Sequence, residues 1–233
     1  MIVVFAGTKD GRDWVLDRLD QGEEIVVSVA TAYGASLYPE QEKLQVVSGR
    51  KNLEEMKKFL LAHDPKRVVD WTHPYAVEVS RNIKKACEEL VIPYGRIHRE
   101  TSLVGLEHPK MYTFHRYEPL TEYLKKTKGN ILWTIGSNGL DQVMIKDLIH
   151  RSYVRVLPTS QVLMKCEGLG LDPSRILGLQ GPFSKELNLA IYRDYDIEYM
   201  VTKDSGKPGG TLEKVLPALE MGIQVLVYGR PVE

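Results

Sequence analysis

The stretch Asp70-Trp71-Thr72-His73-Pro74-Tyr75-Ala76 gathers a hydroxyl, an imidazole and a phenol around a rigid proline. An imidazole or a phenol can pass a proton to a reacting group, and a threonine hydroxyl can orient a polar ligand. His73 and Tyr75 are therefore the candidate catalytic proton donors, with Thr72 as a candidate substrate contact. The same residues also fit a Pro-stiffened turn in which His73 and Tyr75 only cap neighbouring backbone.

Anion binding is the second chemistry on offer. Gly7-Thr8-Lys9-Asp10-Gly11-Arg12 turns a β-prone run into a helix expected from about Asp13 to Leu19. Such a turn presents backbone N–H groups at a positive helix end, and Arg12 can add a bidentate contact to phosphate or carboxylate. A tight turn that needs glycine for its backbone angles is the other reading. In the second half, three loops follow expected strands: Gly136-Ser137-Asn138-Gly139, Gln180-Gly181-Pro182-Phe183-Ser184, and Lys203-Asp204-Ser205-Gly206-Lys207-Pro208-Gly209-Gly210. Their glycines let a ligand approach the backbone, helix starts after Asn138, Ser184 and Gly210 leave N–H groups free, and Lys203 can neutralise a phosphate. Ordinary βα connections with turn glycines would look the same, loop by loop.

Several other chemistries find no support. Gly7-x-x-x-Gly11 is not the dinucleotide spacing Gly-x-Gly-x-x-Gly, and the next strand, Glu24 to Ala30, ends in Thr31 and Tyr33 without the acidic residue that holds a ribose. Tyr199 and Lys203 have the Tyr-x-x-x-Lys spacing of a dehydrogenase pair, but they flank a strand end, where the two side chains are too far apart to act together. Cys87 and Cys166 are far apart and read as buried core thiols. The six histidines have no ligand spacing, so no metal is expected.

To place these loops at one edge, the chain must alternate strands and helices. Strands are expected at Ile2 to Ala6, Glu24 to Ala30, Leu44 to Val47, Arg67 to Trp71 and around Ile92 to Ile97. The helix after Ser48-Gly49-Arg50 opens with an Asn52/Glu55 capping box, and another runs from Val77 to Leu90. A polar connector follows, and a second series has strands at Met111 to Phe114, Ile131 to Thr134, Tyr153 to Leu157, Arg175 to Leu179, Ile197 to Thr202 and Gln224 to Tyr228. The expected architecture is α/β: two Rossmann-like lobes, residues 1–104 and 105–233, each a mostly parallel sheet flanked by helices, with a cleft between them.

Composition narrows the partners. The 233 residues are 43% apolar, enough for a core, and carry 31 basic against 31 acidic side chains. That balance argues against a nucleic-acid surface and leaves a small-molecule ligand open. Met1 to Gly7 is too short an apolar run for a signal peptide and lacks a basic leader, and no run approaches a membrane span, so a soluble cytoplasmic protein is expected, as a monomer or homodimer.

In combination, these stretches resemble the precorrin-6A reductases of cobalamin biosynthesis, including the cobalt-precorrin-6A reductases, nearly end to end. The resemblance is carried by Gly7-Thr8 with Gly11-Arg12, by Asp70 to Ala76 continuing to Ser80-Arg81-Asn82, by Ile92-Pro93-Tyr94 with Arg96 and Arg99, by Gln180 to Ser184 with Glu186-Leu187-Asn188, and by Thr202 to Gly206 with Gly209-Gly210, Glu213-Lys214 and Arg230-Pro231. It implies NADPH-dependent reduction of one macrocycle double bond of precorrin-6A, or of its cobalt complex, to the 6B form. The tetrapyrrole carboxylates would meet Gly7, Thr8, Arg12, Arg50, Thr72, Arg96 and Arg99. NADPH would meet Gly136, Ser137, Gly181, Thr202, Lys203, Asp204, Ser205, Gly209, Gly210 and Arg230, with Lys203 or Arg230 on the 2′-phosphate. The lobe assignment could also be reversed or shared, and solvent could replace His73 or Tyr75 as proton donor. A non-catalytic two-lobed binding protein for an anionic ligand, or another nucleotide-using α/β enzyme such as a methyltransferase, are the remaining readings.

Overall fold

The computed structural model describes residues 1–98 and 101–230, so Arg99 of the expected substrate set and Pro231 lie outside the described residues. The chain divides into two compact units, Met1–Arg99 and Glu100–Glu233.

The first unit runs β1 (Ile2–Ala6), α1 (Lys9–Asp20), β2 (Ile25–Val29), α2 (Ala32–Ser36), β3 (Leu44–Ser48), α3 (Leu53–His63), β4 (Arg67–Trp71), α4 (Val77–Leu90) and β5 (Tyr94–Arg96). Its strands pair in the order β3-β2-β1-β4-β5, every pair parallel. Successive strand residues point to opposite faces, so an all-apolar run such as Ile2–Ala6 must be covered on both. Val3, Phe5 and Val68 pack with Met56, Phe59 and Leu60 of α3 and Ile83, Ala86 and Cys87 of α4. Val4, Ala6 and Val27 pack on the other face with Val15 and Leu19 of α1.

Helix α1 starts one turn earlier than the sequence suggests. The Thr8 hydroxyl accepts from Gly11 N, capping the helix, so Arg12 sits in its first turn and not in a loop. Gly11 serves contact and not turning: a Cβ there would lie 3.1 Å from Trp71 Cβ and 3.2 Å from Ala6 Cβ, tighter than most Cβ contacts, so glycine lets the helix press closely onto the sheet. Helix α3 opens with the expected capping box, Asn52 Oδ1 accepting from Glu55 N while Glu55 Oε2 accepts from Asn52 N.

The second unit runs β6 (Met111–Phe114), α5 (Tyr117–Lys125), β7 (Asn130–Thr134), α6 (Leu140–Val143), α7 (Lys146–Ile149), β8 (Ser152–Val156), α8 (Ser160–Gly168), β9 (Ile176–Gly178), α9 (Lys185–Asp194), β10 (Ile197–Lys203), α10 (Thr211–Glu220) and β11 (Gln224–Tyr228). The order is β6-β11-β10-β7-β8-β9, again wholly parallel. One face buries Ile131, Trp133 and Val201 beneath Leu120, Leu124, Leu140, Leu148 and Cys166. The other buries Leu132, Met200 and Val225 beneath Ile191 and Tyr192 of α9 and Val215 and Ala218 of α10. Tyr199 and Lys203 lie on β10, the strand geometry that separates them. Among the described residues no helix is long and apolar enough to cross a membrane.

Helix α10 contains Pro217, which has no N–H to give to the carbonyl four residues back, Glu213 O. That carbonyl accepts instead from Asn188 Nδ2 of α9 at 3.1 Å, and the next one, Lys214 O, accepts from the Tyr192 hydroxyl at 2.8 Å. The helix defect is thus repaired by its neighbour.

Candidate functional site

In an open parallel sheet, ligands bind at the carboxyl ends of the strands where the strand order reverses. In the first unit that point lies between β1 and β4, since β1 leads outward to β2 and β3 and the chain returns to β4 and β5 on the other side. The register sets Ala6 beside Trp71. Gly7 and Thr8 therefore leave the sheet beside the start of the Thr72-His73-Pro74-Tyr75 loop, and Arg12 follows in the first turn of α1. Arg96 joins them through β5, where it pairs in register with Asp70. Arg50 follows β3, the edge strand, about 10 Å away at ordinary strand spacing, and stands apart.

Asp70 organises this loop. Its carboxylate is fully buried; Oδ1 accepts from Thr72 N at 2.9 Å, Oδ2 accepts from the Tyr94 hydroxyl at 3.0 Å, and Arg96 Nε lies 3.7 Å from Oδ2. Burial, and then the Asp70 charge, push the Tyr94 phenol well above its ordinary value, so it remains a donor. Thr72 Oγ1 and Ser80 Oγ, 2.8 Å apart, tie the loop to the first turn of α4. Tyr75 N donates to His73 Nδ1 at 3.3 Å, which in a neutral ring leaves the proton on Nε2. The two rings lie 5.5 Å apart. Trp71 Nε1 is buried without an acceptor among the described residues, an unsatisfied donor at the end of β4. The Tyr38 phenol is raised to about 12 by burial, against the opposing charge of Arg12.

In the second unit the reversal lies between β7 and β10, and the register sets Thr134 beside Thr202. The Gly136-Ser137 turn therefore adjoins the loop Lys203 to Gly210. Gly136 has φ 74° and open space where a Cβ would be. Asp204 is buried and accepts from Thr101 Oγ1, Ser102 N and Gly206 N, with Arg230 Nε 3.8 Å from Oδ2. Arg230 Nε also donates to Asp204 O, so this arginine holds the loop. A Cβ on Gly209 would sit 2.2 Å from Ser205 Oγ, and Gly210 has φ 59°; this turn admits glycine alone. Thr202 is fully buried. Burial lowers the Lys203 ammonium, which lies 5.8 Å over the Tyr228 ring. Gly181 follows the edge strand β9, yet its loop folds back, since Pro182 Cβ would lie 3.2 Å from a Cβ on Gly210.

A buried polar cluster absent from the sequence-based set lies here too. Arg155 Nη1 donates to Asn188 Oδ1 at 2.7 Å, and its guanidinium stacks 4.4 Å over Phe183. Lys214 is buried on α10, and burial, then the Arg155 charge, bring its amine down to about 7, against the opposing pull of Asp204 and Glu213. The signal was available in the sequence: Thr211, Val215 and Ala218 make a helical stripe with Lys214 inside it.

Comparison with known proteins agrees with this architecture. The family described as precorrin-6x reductase CbiJ/CobK matches residues 1–233. A cobalt-precorrin-6A reductase of Priestia megaterium is 36% identical, covering 99% of this chain and 91% of its own, and one of Salmonella typhimurium is 35% identical, covering 99% and 87%. The solved structure of CobK precorrin-6A reductase superposes with a TM-score of 0.77 at 21% identity, over 99% of this chain and 88% of that one, which bears on the fold. With the match spanning both α/β units and both strand-order reversals, the chain belongs to the precorrin-6x reductase family and is an oxidoreductase of cobalamin biosynthesis.

Proposed function

We propose that this chain reduces one macrocycle double bond of cobalt-precorrin-6A to the 6B form with NADPH as reductant. The cobalt form takes precedence over metal-free precorrin-6A because relatives named for it are 36% and 35% identical, against 29% for a precorrin-6A reductase of Rhodococcus erythropolis. The observation that carries the reading is the unlike chemistry of the two strand-order reversals. One carries Arg12, Arg96 and the His73–Tyr75 ring pair on neighbouring elements at one sheet edge; the other is lined by glycines at positive φ and buried cations.

The second set fits a phosphate-bearing dinucleotide. Gly136 leaves open space, Gly210 opens α10 with no side chain capping its N–H groups, and buried cationic side chains at this edge can supply the countercharge. NADPH, when bound, supplies a hydride. Arg12 and Arg96 hold tetrapyrrole carboxylates, and the Thr72 loop, pinned by Asp70, presents His73 Nε2–H and the Tyr75 hydroxyl as proton donors to the reduced macrocycle.

The experiment is anaerobic NADPH oxidation with purified protein and either cobalt-precorrin-6A or precorrin-6A, following the tetrapyrrole spectrum in parallel. Oxidation matched to macrocycle bleaching is expected; a folded chain that binds NADPH but consumes neither substrate overturns the reading. His73→Ala is expected to lower kcat by about a hundredfold with little change in KM, the usual size of a general-acid contribution. Arg12→Ala should instead raise KM for the tetrapyrrole by about tenfold or more, the loss of a charge-assisted contact, with kcat nearly unchanged.

A further inference from the structure

Two cationic side chains are buried at the carboxyl edge of the second sheet without a carboxylate bonded to either among the described residues. Arg155, 7% exposed, is held by a neutral amide and an aromatic ring. Lys214, 6% exposed, has no hydrogen bond or ion pair from its Nζ among the described residues. The nearby Asp204 carboxylate does not fill that role, because Thr101, Ser102, Gly206 and Arg230 already occupy it. Burying an ammonium with no carboxylate bonded to it is costly and drives off its proton, and an anion docked beside it would restore the charge.

Its position says where that charge sits. Helical side chains lean toward the N-terminus of their helix, so Lys214, in the first turns of α10, projects toward the uncapped start at Gly210. The groups facing its amine are Arg155 from β8, Asp204 from the end of β10 and Glu213 of its own helix, while α9 contributes Tyr192, whose hydroxyl donates to Lys214 O. Asn188 holds Arg155 on one side and Glu213 O on the other, which fixes both cations relative to the same helix start.

We propose that Lys214 and Arg155, with the free N–H groups at the start of α10, form the phosphate-binding subsite for the dinucleotide. The proposal rests on the cofactor reading above and gives the phosphate contact to residues other than Lys203 and Arg230. It has a consequence that ordinary surface contacts lack. Burial holds the amine largely neutral at about pH 8, and a phosphate beside it favours the charged form, so docking draws close to one proton from solvent.

The test is isothermal titration calorimetry of NADP+ and NAD+ into the intact chain at about pH 8, in buffers of different ionisation enthalpy. Wild type is expected to take up protons on binding NADP+. Lys214→Met should weaken NADP+ binding by about ten- to a hundredfold and abolish the uptake. Lys214→Arg, charged throughout, should bind without uptake. Loss with NADP+ alone identifies the 2′-phosphate as the group held, and equal loss with both dinucleotides identifies the pyrophosphate. Absence of proton uptake in wild type that binds NADP+, or undiminished binding by Lys214→Met, overturns the Lys214 assignment and leaves the cofactor reading standing. If wild type binds neither dinucleotide, the cofactor reading falls and this subsite with it.

Discussion

Ligand-free Lys214→Met melts several degrees above the wild-type chain near neutral pH, and the gap narrows steadily as the pH rises above about 7 toward 10.5. The amine titrates at about 7 in the fold and at 10.5 in the unfolded chain. Between those values the unfolded chain binds more protons, so raising the pH favours the fold. Below about 7 the amine is charged in both states and the full cost of burying it stands; above 10.5 it is neutral in both and the cost is gone. Methionine has similar length and no charge, so the variant escapes this dependence. The difference near neutral pH is on the order of 2–4 kcal/mol, which corresponds to several degrees for a domain of this size. The Cys87 thiol, raised to about 11 chiefly by burial, titrates in both proteins and cancels from the comparison. Thermal melts at neutral and alkaline pH decide it: a gap that does not change with pH would show that the amine is not the titrating group. A side chain that weakens the empty fold while strengthening ligand binding is the signature of a functional and not a structural residue.

Asp70→Ala should destabilise the first unit by about 3–5 kcal/mol, the largest single loss expected in the chain. The fully buried carboxylate accepts from a backbone N–H and a phenol and lies beside Arg96. Alanine leaves the Thr72 N–H and the Tyr94 hydroxyl without their acceptor and removes the carboxylate beside Arg96. Asp70→Asn keeps an acceptor for Thr72 N and should cost less than half as much. Its effect then falls on catalysis: with the loop less firmly pinned, kcat should drop by about tenfold while tetrapyrrole KM moves little. Denaturant unfolding of both variants, with kinetics on the asparagine form, measures the two contributions. Wild-type stability in Asp70→Ala would show that Thr72 and Tyr94 find other partners.

Periodicity placed most of the fold. Ile2–Ala6 and Ile131–Thr134 are short, continuous apolar runs, and such runs fit only strands covered on both faces. Strand order, by contrast, depends on which strands pair, and nothing local encodes that Trp71 lies beside Ala6 and Lys203 beside the loop after Thr134. The start of α1 is hidden in the sequence because Gly11 looks like a turn residue. Its function is to let the helix touch Trp71 and Ala6, a contact visible only in three dimensions. The candidate-site loops were legible because glycine and proline mark them. Arg155 was not, since a lone charged residue on a strand reads as solvated until its burial is known; for Lys214 the apolar stripe around it was the one available signal.

The proline in α10 has a mechanical consequence. A helix whose hydrogen bonds all close within itself can shift as an independent rod. Here two carbonyls of α10 are anchored on α9, and Asn188 extends the same linkage to Arg155 on β8. The starts of the two helices and the end of β8 are thereby geared together, so a load applied at Gly210 is borne by three elements from distant parts of the sequence.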